Sequence, residues 1–208
     1  IIDAVRSLDY LAGRPEVDPR RLGCTGNSGG GNLTTYLMTL DDRVAAAAPC
    51  CWLTEYRTLL IQRGPQDAEQ LITGHVAQGF DLGDYVLARV PKPLMIGAGI
   101  KDTTFLIDSV RALADEGRRA ARLVGKLKDV ELVEADFPHG FSEPLREAAV
   151  GFMKLRLAGD RLTTGKQVTV DEPTEVALHS DRELWCTPNG SVLDLPGART
   201  LYDLHADE

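Results

Sequence analysis

The apolar residues of this 208-residue chain alternate between helical spacing and short continuous runs. Helical spacing over residues 1–12 and an apolar stretch that ends near Leu40 predict two helices. The short runs at Leu22–Thr25 and Val44–Ala48 predict buried strands. Each helix comes before a strand, an order that is typical of a parallel sheet covered by helices. The pattern therefore predicts an α/β fold.

The same alternation continues in the second half of the chain. Apolar runs at 93–98 and 130–135 predict two more strands. Residues 107–123 and the segment from Leu145 to Leu155 show helical spacing, so each of these strands is followed by a helix.

The segment from about 50 to 90 has a looser pattern than its surroundings. Its short apolar stretches predict short helices at 53–61, 68–75 and 85–87. A helical insertion after a sheet strand usually covers the active-site end of the sheet. We therefore predict that this segment forms a cap.

The chain changes character after residue 158. Residues 160–208 hold ten acidic and four basic side chains, and so carry −6 of the total charge of −8. We predict that residues 1–158 form the main domain and that 159–208 form a polar, acidic tail. Asn189-Gly190 has the composition of a tight turn, so residues 183–193 predict a β-hairpin in this tail.

Composition excludes several classes of function. Nucleic-acid binding needs clustered lysine and arginine, and the net charge of −8 argues against it. No run of 18 apolar residues is present, so we expect no membrane span. The four cysteines and four histidines are not spaced as a disulfide framework or a metal site, and the adjacent Cys50 and Cys51 are expected to be buried thiols. We therefore predict no metal and no cofactor.

Gly26-Asn27-Ser28-Gly29-Gly30 lies between a predicted strand and a predicted helix. This G-x-S-x-G pattern is typical of a nucleophile elbow, in which small residues on either side of the serine let the backbone cross itself closely. The turn places the serine hydroxyl at a helix N-terminus, where free N–H groups stabilise a developing oxyanion. We predict Ser28 as the nucleophile and the Gly29 N–H as an oxyanion donor.

A serine nucleophile needs a base to take its proton and an acid to orient that base. Asp102 follows the strand at 93–98 and His139 follows the strand at 130–135. Serine, acid and histidine then follow three sheet strands in the chain order of the α/β-hydrolases. Asp136 is a second candidate for the acid, since Asp102 could instead cap the next helix. The remaining histidines lack a motif of this kind: His75, His179 and His205.

The residues around the serine carry a family resemblance. Val17-Asp18-Pro19-x-Arg21-Leu22-Gly23-x-x-Gly26-x-Ser28-x-Gly30-Gly31 resembles the serine loop of the α/β-hydrolases, in particular their acetyl xylan esterase-like and prolyl-oligopeptidase-like branches. Residues 41–49 and 65–70 are similar to the acetyl xylan esterase-like group. The resemblance covers roughly residues 1–157 and implies a serine esterase without a cofactor, whose substrate is a small-molecule or carbohydrate ester. Residues 183–204 resemble a segment that follows the hydrolase domain in longer members.

The resemblance also implies that part of the family's fold lies outside this chain. In the family the serine follows the fifth strand, whereas the residues before Ser28 provide only a helix and a turn. We therefore expect a partial α/β-hydrolase fold, with parallel strands 5–8, flanking helices and a cap but without the N-terminal strands. Those strands or a partner chain are expected to cover the strand at 22–25, which would otherwise be an exposed edge. The second oxyanion donor of the family comes from the part that is absent here.

The cap is expected to shape the substrate pocket. The residues predicted to line it are Trp52, Tyr56, Gln66, Asp67 and Gln70. Two other functions remain open. A serine peptidase of the prolyl-oligopeptidase type would share the same three residues, and an inactive hydrolase fragment could act as a binding module.

Overall fold

The computed structural model describes residues 1–126, 129–158, 173 and 175–207. The chain divides into two compact units, Ile1–Glu172 and Pro173–Glu208. Each unit is described by itself below.

The first unit is built on a parallel sheet. Its strands are β1 (Leu22–Asn27), β2 (Val44–Cys50), β3 (Leu94–Gly99) and β4 (Val130–Ala135), in the spatial order β1-β2-β3-β4. Every neighbouring pair is parallel. The predicted strands and the α/β class are confirmed. Because all the strands run in one direction, the loops that follow them meet at one edge of the sheet.

Helices cover both faces of this sheet. They are α1 (Ile2–Ala12), α2 (Gly29–Leu40), α3 (Tyr56–Gln62), α4 (Leu82–Arg89), α5 (Ile107–Leu123) and α6 (Glu143–Met153). Side chains of α1, α2, α4 and α5 form one core cluster with Leu94 and Ile96 of β3. Met95, which points to the other face because strand side chains alternate, packs with α6.

The segment between β2 and β3 contains α3, α4 and two 3₁₀ turns at Ala68–Gln70 and Val76–Gln78. We refer to this segment as the cap; its helical pieces differ in length from those predicted. Arg89, the last residue of α4, is buried and donates hydrogen bonds to the carbonyl oxygens of Met38 and Val44, at 3.1 and 2.8 Å. Burial lowers the pKa of Arg89 to about 10, so the guanidinium stays charged at neutral pH and fixes the end of the cap to α2 and β2.

Strand β1 lies at one end of the sheet order. It pairs with β2 on one side, and no strand among the described residues pairs with its other side. The described part of the sheet therefore has an open edge at β1. No described helix combines the length and the apolar character needed to cross a bilayer.

The second unit contains α7 (Asp181–Leu184), a 3₁₀ turn at Val192–Asp194 and α8 (Leu201–His205). The predicted hairpin at 183–193 is wrong, because residues 175–207 contain no strand. Ser180 and Glu183 form a reciprocal capping box, which starts a helix where the first strand was expected. Gly190 does adopt the positive φ expected of a turn residue, at 76°. The predicted domain boundary at 158/159 adjoins residues 159–172, which lie outside the described part of the chain.

Candidate active site

Ser28 occupies a tight turn between β1 and α2. Its φ of 55° and ψ of −117° are rare for a residue with a side chain, and such strain is concentrated at functional sites. The backbone holds this conformation from both sides. The Ser28 N–H donates to the Cys50 carbonyl at 3.0 Å, and the Ser28 carbonyl accepts from the Asn32 N–H at 2.8 Å. The strand–turn–helix geometry expected for a nucleophile elbow is therefore present, with Ser28 and the Gly29 N–H at the start of α2.

Asp102 and His139 are hydrogen-bonded to each other. The distance between His139 Nδ1 and Asp102 Oδ2 is 2.7 Å. The other carboxylate oxygen, Oδ1, accepts from the backbone N–H groups of Thr104 and Phe105 at 2.8 and 3.0 Å. Both oxygens are thus occupied, and the orientation of the carboxylate is fixed before any substrate binds.

The two candidate acids lie in opposite environments. The Asp102 side chain is 1% exposed, whereas the Asp136 side chain is 71% exposed and forms an ion pair with Lys101 Nζ at 3.0 Å. Asp102 also does not cap the next helix, because α5 starts at Ile107 with Leu106 as its N-cap residue. The geometry therefore favours Asp102 as the partner of the histidine.

Ser28 and His139 open onto one cavity of about 500 Å³. The cap forms part of its wall, and three of the residues predicted to line the pocket are there: Gln66, Asp67 and Gln70. The cap is kept in place beside this cavity partly by a hydrogen bond from α2. The Tyr36 hydroxyl donates to the Gln70 carbonyl at 3.0 Å, which ties the cap segment to the helix that follows Ser28.

The prediction that Trp52 and Tyr56 line the pocket is wrong. Both side chains are buried in the core beneath the cap. Trp52 packs against Phe105 with ring centroids 5.6 Å apart, and Tyr56 packs against His75 at 5.3 Å. Large aromatic side chains next to a buried strand gain most by burial, and this outweighs a position close to the active-site edge.

Five further residues line the cavity without having been predicted to do so: Gln62, Arg63, Pro65, Thr104 and Phe105. Thr104 and Phe105 have no motif of their own. Their only signal is that they come two and three residues after a candidate acid that follows a strand. The Phe105 ring lies 5.5 Å from the His139 ring and forms one wall beside the imidazole.

Sequence comparisons relate this chain to known esterases and hydrolases. The family model for acetyl xylan esterase (AXE1) matches residues 1–72. A putative hydrolase of Bacillus subtilis (strain 168), YtaP, is 23% identical over 155 residues, which make up 74% of this chain and 52% of that protein.

Solved structures show the same fold. A glucuronoyl esterase of carbohydrate esterase family 15 from Caldicellulosiruptor kristjansonii superposes with a TM-score of 0.64 at 17% identity, over 84% of this chain and 53% of its own. Methylesterase BT1017 superposes with a TM-score of 0.58 at 26% identity, over 82% of this chain and 38% of its own. The chain therefore has part of the α/β-hydrolase fold. Over its first 72 residues it resembles the acetyl xylan esterases, and it spans about half the length of YtaP and of the glucuronoyl esterase.

Proposed function

We propose that this chain carries the catalytic residues of a serine esterase. The observation that supports this most directly is that a strained serine and a hydrogen-bonded Asp102–His139 pair open onto one cavity. The resemblance to esterases supports the class of reaction. The specific roles of the three residues are part of the proposal.

In the proposed reaction Ser28 Oγ attacks the ester carbonyl while His139 Nε2 takes the hydroxyl proton. Asp102 accepts from Nδ1–H, which keeps the Nε2 lone pair available for the serine. The Gly29 N–H donates to the oxyanion. Collapse of the tetrahedral intermediate breaks the bond to the alkoxide, which receives the proton from His139. Water then hydrolyses the acyl-serine by the same steps, and the free enzyme is restored.

The cavity also supports a class of substrate. Its wall offers the amides of Gln66 and Gln70 and the guanidinium of Arg63, groups that hydrogen-bond to hydroxyls. The exposed ring of Pro65 adds an apolar surface. A carbohydrate ester combines hydroxyl groups with an apolar ring face, and we propose an acylated saccharide as the substrate. The names of the acetyl xylan esterase family and of the glucuronoyl esterase agree with this class.

The open edge at β1 bears on how the active site of the proposed esterase is completed. An exposed parallel strand invites pairing with another strand. We propose that further strands of the longer protein, or a partner chain, cover this edge and supply the second oxyanion donor. One such donor is worth about 3–4 kcal/mol in the transition state.

Covalent labelling tests the nucleophile. A fluorophosphonate probe reacts with an activated serine, so we expect one labelled peptide that contains Ser28. Ser28→Ala should abolish the labelling, while Ser7→Ala, which removes an exposed serine on α1, should leave it unchanged. The measurement is mass spectrometry of the labelled chain, in this form and in its full natural length. If a long form that contains these residues stays unlabelled, the fragment is an inactive binding module and the proposal is wrong.

Substrate preference tests whether the substrate is an acylated saccharide. Gln66→Ala should raise KM for an acetylated xylo-oligosaccharide by about fivefold, because one neutral hydrogen bond is worth about 1 kcal/mol. It should leave hydrolysis of p-nitrophenyl acetate nearly unchanged, since that ester has no sugar hydroxyl. Gln78→Ala is the matched control, because Gln78 lies in the cap but not among the residues that line the Ser28 cavity. Equal effects on both esters would contradict the saccharide class, and faster cleavage of an N-acetyl aminoacyl anilide would favour the peptidase alternative.

A further inference from the structure

A buried thiol lies next to the Asp102–His139 pair. Cys51 directly follows β2 and is one of two non-glycine residues with a positive φ in the described chain, at 47°. Its Sγ contacts the carbonyl oxygen of Gly140 at 3.5 Å, beside the histidine. The Cys51 sulfur, a carboxylate oxygen of Asp102 and a ring nitrogen of His139 all lie within 4.8 Å of one another.

We propose that Cys51, Asp102 and His139 form a binding site for a thiophilic divalent cation such as Zn²⁺, and that the bound cation switches the hydrolase off. Metal binding itself is independent of the proposed function. The inhibition rests on the proposed function, because inhibition of this kind requires His139 to act as the catalytic base.

The three side chains match the ligand chemistry of zinc. Thiolate, imidazole and carboxylate are its usual protein ligands, and three of them leave a fourth position open to water. Zinc–ligand bonds of about 2.0–2.3 Å place the ligand atoms roughly 3–4 Å apart. Shifts of about 1 Å in the Cys51 and His139 side chains therefore close the site, and the partly exposed His139 has room to move.

A cation can reach the cluster from the side of His139. This side chain is 36% exposed and lines the Ser28 cavity, whereas Cys51 and Asp102 are buried. Glu55 and Asp108 line a second cavity, of about 390 Å³, that also adjoins Asp102, and carboxylates along a cleft raise the local concentration of cations. The partly exposed imidazole is therefore the point at which the cation enters the cluster.

Metal binding at this position conflicts with general-base catalysis. Cys51 loses its thiol proton to solvent and binds as a thiolate. His139 Nδ1, which faces Asp102, gives its lone pair to the cation, so the single ring proton moves from Nδ1 to Nε2. A protonated Nε2 cannot accept the hydroxyl proton of Ser28. When the cation is removed, Cys51 takes a proton back from solvent and the ring proton of His139 returns to Nδ1.

Direct metal binding tests the site. The exposed Cys186 would bind metals adventitiously, so every chain carries Cys186→Ser. Equilibrium dialysis with Zn²⁺ should show one site, and Co²⁺ should produce a thiolate-to-metal absorption band. Cys51→Ser should abolish the band and weaken Zn²⁺ binding at least tenfold. Cys24→Ser is the matched control, because this partly buried thiol lies in β1 outside the cluster.

His139→Gln provides a second variant in case Cys51→Ser fails to fold, since the histidine side chain is partly exposed. It should also weaken Zn²⁺ binding at least tenfold. Retention of full affinity by a folded Cys51→Ser or His139→Gln chain, or an equal loss in Cys24→Ser, would overturn the site.

The inhibitory role has its own measurement. Zn²⁺ should slow fluorophosphonate labelling of Ser28 at least tenfold, a chelator should reverse the effect, and Cys51→Ser should resist it. Labelling that is unaffected at saturating Zn²⁺ would overturn the inhibition. Failure of labelling in metal-free protein would instead count against the proposed function, and the dialysis result would still decide the metal site.

Discussion

Replacing Asp102 with asparagine is expected to lower kcat for ester hydrolysis by about four orders of magnitude. The reason lies in how the carboxylate is held. Oδ1 accepts from the N–H groups of Thr104 and Phe105, and an asparagine would keep its carbonyl oxygen there. Its amide nitrogen would then face His139 Nδ1, where Oδ2 now lies at 2.7 Å. A donor at that position favours the tautomer with the proton on Nε2, which cannot take the proton of Ser28.

The matched control is Asp136→Asn. Asp136 is exposed and paired with Lys101, so its substitution should change kcat by less than about twofold, as expected for an exposed ion pair. Both variants are assayed with p-nitrophenyl acetate, and the unfolding transition of each is recorded to show that the fold is intact. A large loss in Asp136→Asn with little loss in Asp102→Asn would transfer the role of the acid to Asp136.

This choice between two acids illustrates what the sequence can and cannot predict. Strand periodicity correctly predicted that β3 and β4 end close to Asp102 and His139. It also placed Asp136 at the same edge, because the loops after parallel strands converge there. Which carboxylate turns inward depends on the path of the two loops, and the decisive contacts are backbone N–H groups that no side-chain motif encodes.

Local sequence patterns also do not show which side chains of the cap segment face the core, which explains the wrong predictions there. Trp52 and Gln66 belong to one segment of loose periodicity, yet Trp52 is in the core and Gln66 lines the cavity. Local patterns do not show which side of a short, irregular element faces inward. The cluster of Cys51 with Asp102 and His139 was not predictable either, because its members lie far apart along the chain and come together only through sheet order.

The second unit contains two local signals that predict different structures. Asn189-Gly190 predicted a turn, and Gly190 does have a positive φ. The flanking residues, however, begin with Ser180 and Glu183, whose spacing is that of a capping box. Pro188 also lacks the N–H that a strand ladder needs. Together these two features indicate a helix and a turn instead of a hairpin.

Gly26→Ala is expected to destabilise the fold by about 4 kcal/mol and to abolish fluorophosphonate labelling of Ser28. A Cβ atom at Gly26 would lie 2.5 Å from the carbonyl carbon and oxygen of Gly30. These are backbone atoms at the start of α2, so no side-chain rotation relieves the contact. The turn must open, and Ser28 then leaves its strained conformation. Urea unfolding and the rate of labelling measure the two effects.

Gly30→Ala is the matched control from the same motif. A Cβ at Gly30 would have no heavy atom within 4 Å, and the residue lies in the first turn of a helix, where alanine is favoured over glycine. We expect its stability to be unchanged or higher by up to about 1 kcal/mol, with labelling retained. The two glycines of G-x-S-x-G therefore differ in their tolerance of a side chain. Gly26 must lack one, whereas Gly30 contributes the backbone atoms that Gly26 approaches. Equal stability of the two variants would show that the strand and the helix do not approach this closely around Ser28.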